Sequence, residues 1–173
     1  MEYIFDTHCH PNLNKIKNKT EIIDNFFKNG GKYMNIIGTN PQTNKSVIEI
    51  SNNYDGIFCS IGIHPCDIYD LNLKKEILNM EKHINNKKNK IVAIGECGLD
   101  YYWLKPENNS DISALDLNKQ KDVINQKKEL QKQFFKAQLK LANKYNLPVI
   151  IHNRESKDDI FKILKEIDFK NFI

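Results

Sequence analysis

Two histidines stand two residues apart near the start of the chain, in the run Asp6-Thr7-His8-Cys9-His10. Residues two apart on a strand point to the same side, so His8 and His10 can converge on one cation, with Asp6 pointing the same way. Imidazole is a good ligand for zinc and similar ions, and Asp6 could orient one of the rings or accept from it. The competing interpretation of an H-x-H pair is two ordinary histidines at a strand end.

A carboxylate, Glu96, ends an apolar stretch in the run I-G-E-C-G-L-D that begins at Ile94. A carboxylate in that position is costly unless it is paired or metal-bound, so Glu96 is a candidate to bridge two cations. The neighbouring Gly95 and Gly98 let the backbone turn sharply and approach a ligand. The competing interpretation is a side chain that has simply reached solvent at the strand end.

His152 directly follows another apolar run, and Arg154 lies two residues further on. A guanidinium at this place can hold a phosphate through two parallel hydrogen bonds. The alternatives are a packing or capping role for His152 and a surface ion pair of Arg154 with Glu155 or Asp158.

A fourth candidate, His64, lies in the run G-I-H-P-C-D, where it could contact a phosphate oxygen or protonate a leaving group. Taken singly, a histidine of this kind is more often structural. The combination carries more weight, because four of the five histidines and Glu96 fall at the ends of predicted strands. The exception is His83, which lies on a predicted helix.

Five short apolar runs, rich in β-branched residues, predict strands buried on both faces of a parallel sheet. They cover residues 3–5, 33–37, 57–61, 91–94 and 149–151. Amphipathic stretches between and after them predict five helices. Thr20 is the expected N-cap of the first helix and residues 30–31 its stop, while Asn40 followed by Pro41 is the expected start of the second.

This alternation predicts an α/β fold of one domain over residues 1–173, with helices outside a parallel sheet. We expect an incomplete TIM-type (β/α) barrel, because about five of its eight units are present and residues 171–173 could begin a sixth strand. An open doubly wound sheet is the competitor. The polar stretch 104–126 is too long for a standard connection and is interpreted as a surface insertion.

The composition excludes few classes of protein. There are 26 Lys and Arg against 22 Asp and Glu, a net charge of +4 that permits a polyanionic partner without requiring one. No apolar run is long enough to span a membrane, and the first residues do not form a secretion signal. The four cysteines form no C-x-x-C pair, which favours reduced thiols and a cytoplasmic or nuclear location.

Four motifs in register resemble those of TatD-type metal-dependent deoxyribonucleases, which belong to the amidohydrolase-like barrel superfamily. The motifs are D-T-H-C-H, G-I-H-P, A-I-G-E-C-G-L-D-Y, and Q-L-K-L-A followed by L-P-V-I-I-H-N-R. The resemblance covers nearly the whole chain apart from 104–126. It implies the N-terminal portion of such a barrel.

The resemblance also implies a set of ligands for two divalent ions, Mg²⁺, Mn²⁺ or Zn²⁺. His8 and His10 would bind one ion, His152 the other, and Glu96 would bridge them. The implied reaction is two-metal hydrolysis of phosphodiester bonds in DNA, commonly from the 3′ end, with RNA as an open alternative substrate.

Around this implied centre, Arg154 and His64 would assist at the phosphate. The aromatic run Tyr101, Tyr102 and Trp103 follows Glu96 closely, and one of these rings could stack on a terminal base. The competing interpretation of the run is packing within a loop.

Two departures from the family pattern stand out. The family continues with a histidine after the sixth strand and a metal-binding aspartate after the eighth, so we expect this chain to be a fragment of a longer protein. Cys66 stands where the family often has a second histidine.

A barrel without three strands would expose its edges and inner side chains and would tend to aggregate. The functional alternatives are an amide or ester hydrolase of the same superfamily and a non-catalytic remnant that binds metal or nucleic acid.

Overall fold

The fold is a twisted parallel sheet whose strands follow one another in chain order, with helices packed outside. The computed structural model describes residues 3–13 and 16–173. Its strands are β1 (Ile4–Cys9), β2 (Gly31–Ile37), β3 (Ile57–Ile61), β4 (Ile91–Asp100) and β5 (Val149–Arg154). Its helices are α1 (Lys19–Lys28), α2 (Pro41–Asn53), α3 (Leu73–Asn85), α4 (Ser110–Ser113), α5 (Leu117–Tyr145) and α6 (Lys157–Ile167).

The sheet order β1-β2-β3-β4-β5 decides between the two expected architectures. All neighbouring strands are parallel, and each pairs with its neighbour in the chain. A doubly wound sheet would reverse its order at a switch point, and this sheet does not. The five strands curl into half a barrel, so the predicted incomplete TIM-type (β/α) barrel is confirmed.

The end of the described chain adds a short piece to the open edge beside β5. Phe172 forms a parallel bridge with Val149, and the backbone N–H of Ile151 donates to the carbonyl of Ile173 at 3.0 Å. Residues 171–173 therefore pair with β5 in the way that the start of a sixth strand would, which the sequence had left open.

The main core lies between the sheet and the helices. Outward-facing strand residues such as Ile36, Ile61 and Ile94 are fully buried there, in one cluster with Phe135 and Leu139 of α5. The opposite, concave face of the sheet carries a separate small cluster. That cluster consists of Ile37, Ala93 and Ile150.

Of the two helix starts that the sequence predicted, that of α2 is confirmed and that of α1 is wrong. Asn40 caps α2 as predicted, because its side chain accepts from the N–H of Thr43, and Pro41 occupies the first helical position. The predicted cap Thr20 was wrong, since α1 already begins at Lys19 and Asn18 takes the N-cap position.

The polar stretch 104–126 is largely helical in the structure. Two short 3₁₀ turns, Tyr102–Leu104 and Pro106–Asn108, lead into α4, and residues from Leu117 onward already belong to the 29-residue α5. Asp116 caps α5 by accepting from the N–H of Lys119 at 3.0 Å. The stretch therefore extends a structural helix and covers the end of β4.

Candidate metal centre

The carboxyl-terminal edge of the sheet gathers the histidines and acids that the sequence singled out. His8 lies on β1 and His10 just beyond it, Glu96 lies on β4, and His152 lies on β5. His64 follows β3 at the same edge. Parallel strands bring these residues together because their carboxyl ends meet at one side of the sheet.

A first group is formed by His8, His10 and Glu96. The Nε2 atoms of the two histidines lie 3.2 Å apart, and Oε2 of Glu96 lies 3.5 Å and 3.6 Å from them. Nδ1 of His10 lies 3.1 Å from the carbonyl oxygen of Ile37, which can only accept, so Nδ1 carries the proton. His10 therefore presents the lone pair of Nε2 to the centre of the group.

A second group is formed by His64, Glu96 and His152, whose donor atoms lie within 4.8 Å of one another. Nδ1 of His152 lies 3.0 Å from Oε1 of Glu96. Glu96 thus contributes one carboxylate oxygen to each group. Burial raises the pKa of Glu96, but hydrogen bonds with His10 and His152 outweigh it and hold that pKa well below its usual range.

The sequence assigned no role to Asp100, which contacts the second group. Its buried carboxylate lies 3.0 Å from Nε2 of His152, so both ring nitrogens of this histidine face a carboxylate. Burial lowers the pKa of His152, yet the hydrogen bonds to Glu96 and Asp100 raise it overall. The register that pairs Gly98 with His152 creates this contact, and the sequence carries no signal for it.

The ring of His64 is oriented by its own loop. Its Nδ1 accepts a hydrogen bond of 3.1 Å from the backbone N–H of Cys66, which leaves the proton of the neutral ring on Nε2. Burial lowers the pKa of His64, and the adjacent His152, at 4.2 Å between ring centroids, lowers it further. A neutral His64 therefore presents a hydrogen-bond donor.

Arg154 lies beside this centre, stacked on an aromatic surface. Its guanidinium carbon lies 3.8 Å from the ring centroid of Tyr102 and 5.3 Å from that of Trp103. Within the described ranges no carboxylate forms an ion pair with it, and Glu155 pairs with Lys105. The N–H groups of Arg154 are therefore available to an anion.

Asp6 does not point with the two histidines, contrary to the expectation from strand alternation. A register shift between Asp6 and Cys9 interrupts the regular pairing of β1 with β2. The Asp6 carboxylate accepts from the backbone N–H of His8 at 3.1 Å instead. Burial, and then this carboxylate, raise the pKa of the Cys9 thiol to about 12.

Gly98 is required by strand packing. It has φ of +150°, and a Cβ at this position would overlap the carbonyl oxygen of His152. Gly95, at φ +145°, meets the backbone of Ile150 in the same way. The two glycines let β4 approach β5 closely, where the sequence interpretation had them approach a ligand.

Cys66 occupies the place where the family pattern often has a second histidine. Burial raises the pKa of its thiol to about 12, with a further contribution from the neighbouring Asp100. The thiol is therefore protonated near neutral pH and is a poor metal ligand. Its backbone N–H, described above, still orients His64.

The donor set fits divalent cations. When His152 is neutral and donates from Nε2 to Asp100, its Nδ1 carries no proton and lies 3.0 Å from Oε1 of Glu96. Two hydrogen-bond acceptors at this distance repel each other unless a cation or a proton lies between them. The bare Nε2 of His10 faces Glu96 in a similar way. Imidazole and carboxylate together suit Zn²⁺ and Mn²⁺, and carboxylate also suits Mg²⁺.

Comparison with known families identifies the family of the chain. The family described as TatD related DNase matches residues 5–173. The chain belongs to this family. The histidines and the glutamate in the four sequence motifs of the TatD-related chain lie at the edge just described.

Individual relatives are similar to the chain over part of their own length. An uncharacterised metal-dependent hydrolase, YabD of Bacillus subtilis, is 34% identical over 94% of the chain. A fission-yeast protein named deoxyribonuclease Tat-D is 28% identical over 79% of the chain and 40% of its own length. The crystal structure of YjjV, a TatD homologue of Escherichia coli, superposes with a TM-score of 0.73 at 25% identity.

The chain spans about half the length of these relatives, 55% of YabD and 56% of YjjV. Among the described residues, no helix combines the length and the apolar character that a membrane crossing requires.

Proposed function

We propose that the TatD-related chain carries part of the active centre of a metal-dependent deoxyribonuclease, which hydrolyses phosphodiester bonds of DNA from the 3′ end. The observation that supports this most is the position of Glu96. Its two carboxylate oxygens face two separate groups of imidazoles, as expected of a carboxylate between two cations. The relative named deoxyribonuclease Tat-D supports DNA as the substrate.

The geometry supports the ligand set that the family resemblance implies. His8 and His10 would hold one divalent ion with Glu96, and His152 would hold a second ion with the other oxygen of Glu96. Bound Mg²⁺, Mn²⁺ or Zn²⁺ would supply Lewis-acid polarisation of the phosphate and a water of lowered pKa.

Two further side chains would act on the phosphate directly. Arg154 is free to donate two hydrogen bonds to phosphate oxygens, and its stacking on Tyr102 fixes the plane of the guanidinium. Neutral His64 carries its proton on Nε2 and would donate to an oxygen of the phosphate or to the leaving group.

We further propose that these residues form the N-terminal part of a longer single-domain barrel. The family pattern places one more histidine after the sixth strand and an aspartate after the eighth, and these would complete the centre. The native protein would then have a mass well above 20.3 kDa by immunoblot and intact mass spectrometry of cell extract. A cytoplasmic or nuclear location stays a prediction.

The nuclease function is tested with the native protein on single-stranded DNA labelled at either end, with Mg²⁺, Mn²⁺ or Zn²⁺ added after EDTA treatment. We expect stepwise loss of nucleotides from the 3′ end and a decrease of 100-fold or more in Glu96→Gln and His8→Ala. His83→Ala is the matched control, because His83 lies on α3 away from the centre and should retain activity. Equal activity of Glu96→Gln and wild type would refute the assignment.

The same assay separates the alternatives. Hydrolysis of a nucleotide-free amide or ester, with none of DNA, would favour the other branch of the superfamily. Binding of DNA without metal-dependent cleavage would favour a non-catalytic role. Comparable cleavage of a labelled RNA would extend the substrate to RNA.

A further inference from the structure

A second cavity lies beside the metal centre, between the segment after β4 and helix α5. It has a volume of about 320 Å³. Its lining residues are Cys66, Tyr69, Trp103, Leu104, Asn109 and Lys127. A cavity of this size, with an aromatic wall and a few polar groups, suits a small planar ligand.

Only one ring of the run 101–103 is free to meet a ligand in this cavity. Tyr101 is buried, and its hydroxyl donates to Asp159 at 2.6 Å. Tyr102 is covered by the guanidinium of Arg154. Trp103 is 46% exposed and lines the cavity.

Trp103 is held in place through its backbone. Its N–H donates to Oδ1 of Asp100 at 3.3 Å, and its carbonyl accepts from Nδ2 of Asn109 at 3.0 Å. The side-chain oxygen of Asn109 in turn accepts from the N–H of Ile112. A ring on a fixed backbone loses little conformational entropy when it stacks on a ligand.

The opposite wall carries a positive charge. Nζ of Lys127 lies 3.8 Å from the ring centroid of Tyr69, and within the part of the chain that the structure describes no carboxylate pairs with it. The hydroxyl of Tyr69 accepts from Gln131, which holds that ring in place. None of the six lining residues is acidic, so the cavity favours a ligand with a negative group.

Hydrogen bonds link residues around the cavity to residues of the metal centre. Cys66 lines the cavity and orients His64 through its N–H, while Asp100 joins Trp103 to His152. The guanidinium of Arg154, two residues after His152, lies 5.3 Å from the centroid of the Trp103 ring. A nucleotide chain whose phosphate reaches Arg154 therefore has its next base or phosphate at this cavity.

We propose that this cavity is a nucleotide subsite, in which Trp103 stacks on the base next to the cleaved bond and Lys127 binds the phosphate beyond it. The proposal rests on the nuclease function proposed above and adds the path of the DNA strand next to the cleaved bond. Every nucleobase has a stacking face, so the subsite would accept nucleotides with little preference for sequence.

Trp103 is the only tryptophan among the 173 residues. In the native protein, the part of the fluorescence change that is lost in Trp103→Phe therefore reports on this cavity. We expect saturable quenching when the native protein is titrated with the dinucleotide pdApdA in EDTA, where hydrolysis is excluded. Deoxyribose 5-phosphate and inorganic phosphate, which lack a base, should leave the fluorescence unchanged. Lys127→Gln should weaken the apparent Kd at least fivefold, and Lys121→Gln, an exposed lysine of the same helix, should not.

Calorimetry with the same dinucleotide gives a second measurement that does not need the indole. Trp103→Ala should weaken binding at least fivefold, and Trp103→Phe, which keeps a ring, should recover most of the affinity. Unchanged affinity in Trp103→Ala, or equal quenching by phosphate alone, would overturn the subsite. If DNA is still cleaved in that case, the nuclease function stands without it, whereas binding without cleavage would keep the subsite and remove the nuclease.

Discussion

At the scale of single residues, Asp100 connects the two sites. Its carboxylate is 1% exposed and contacts both Nε2 of His152 and the N–H of Trp103. A buried carboxylate beside a ligand histidine orients the ring and increases its basicity. The same side chain therefore positions the proposed metal ligand His152 and the backbone of Trp103.

We predict that Asp100→Asn lowers the affinity for Mn²⁺ by about 10–100-fold, the usual effect of losing a partner of a ligand histidine. The substitution keeps the shape and removes the charge that favours donation from His152. Isothermal titration with Mn²⁺ measures the effect. Asp122→Asn, an exposed carboxylate on α5, is the control, and equal affinities in the two variants would contradict the role of Asp100.

The convergence of the candidate residues could be predicted because it depends on one rule. His8, Glu96 and His152 each follow or end an apolar run, and carboxyl ends of parallel strands meet at one edge. The contact of Asp100 with His152 depends on the register of β4 against β5, which residue types do not reveal. The direction of Asp6 depends on an irregularity in β1 that strand alternation cannot anticipate.

At the scale of elements, α5 holds two of the loops at this edge through glutamines seven residues apart. Gln138 accepts from the N–H of Ile63 at 2.7 Å and donates to its carbonyl at 3.1 Å. Gln131 makes the equivalent pair of bonds with the backbone of Asp100. A single helix thus fixes the backbone next to His64 and at the end of β4.

We predict that Gln138→Ala destabilises the protein by about 1–3 kcal/mol, because it leaves the buried N–H and carbonyl of Ile63 without partners. Urea denaturation measures the free energy of unfolding. Gln126→Ala removes an exposed glutamine from the same helix and should change stability by less than about 0.5 kcal/mol. Equal effects of the two substitutions would show that Gln138 contributes only helix propensity.

Asp159 connects helix α6 to α5 and to Tyr101, the residue that follows β4. Its carboxylate accepts from the hydroxyl of Tyr101 at 2.6 Å and pairs with Lys132 at 3.0 Å. The hydrogen bond from Tyr101 and then the pairing with Lys132 lower the pKa of Asp159 below its ordinary value of 3.8, against the opposite effect of burial. The unfolded chain therefore binds this proton more readily than the folded one.

Because the folded pKa of Asp159 is depressed, its contribution to stability is present above pH 3.8 and is lost as the pH falls through the folded value. We predict that the difference in unfolding free energy between wild type and Asp159→Asn is largest near neutral pH and shrinks below pH 3.8. Denaturation at a series of pH values measures it. Asp158→Asn removes a neighbouring exposed carboxylate and is the control. If its unfolding free energy differed from that of wild type with the same pH dependence, the effect of Asp159 could not be assigned to the contact with Tyr101.

The sequence was sufficient to predict which strands and main helices form, but it predicted only some of their first and last residues. Periodicity identified the five strands, and Asn40 with Pro41 marked the start of α2 because both residues act locally. Seven of the first ten residues of α5 are polar, and most of the ten are exposed, so no apolar stripe revealed this part of the helix. Their helix is an extension of a segment that is fixed by packing further along, from Gln131 to Leu141.

At the scale of the whole molecule, the concave face of the half-barrel is open and apolar. A groove of about 360 Å³ runs along it. Phe5, Val92 and Ile173, at 54%, 37% and 77% exposure, line this groove. An exposed apolar surface of this kind promotes association or the binding of another segment.

We predict that the 173-residue polypeptide self-associates at micromolar concentration and binds a hydrophobic fluorescent dye. Val92→Lys should shift it towards the monomer in sedimentation velocity, because a charge in the groove opposes burial. Phe161→Lys changes an exposed aromatic residue on α6, outside the groove, and is the control. A wild-type polypeptide that stays monomeric and binds no dye would contradict this reading of the concave face.

The strand order has a consequence for how the protein is made. Each strand pairs with the strand synthesised before it, so no element must wait for a distant part of the chain before it finds its partner. As the polypeptide leaves the ribosome, every new strand and helix can dock on an edge that is already folded. Of the four proposed ligands, His8 and His10 are synthesised first, and β4 and β5 then add Glu96 and His152.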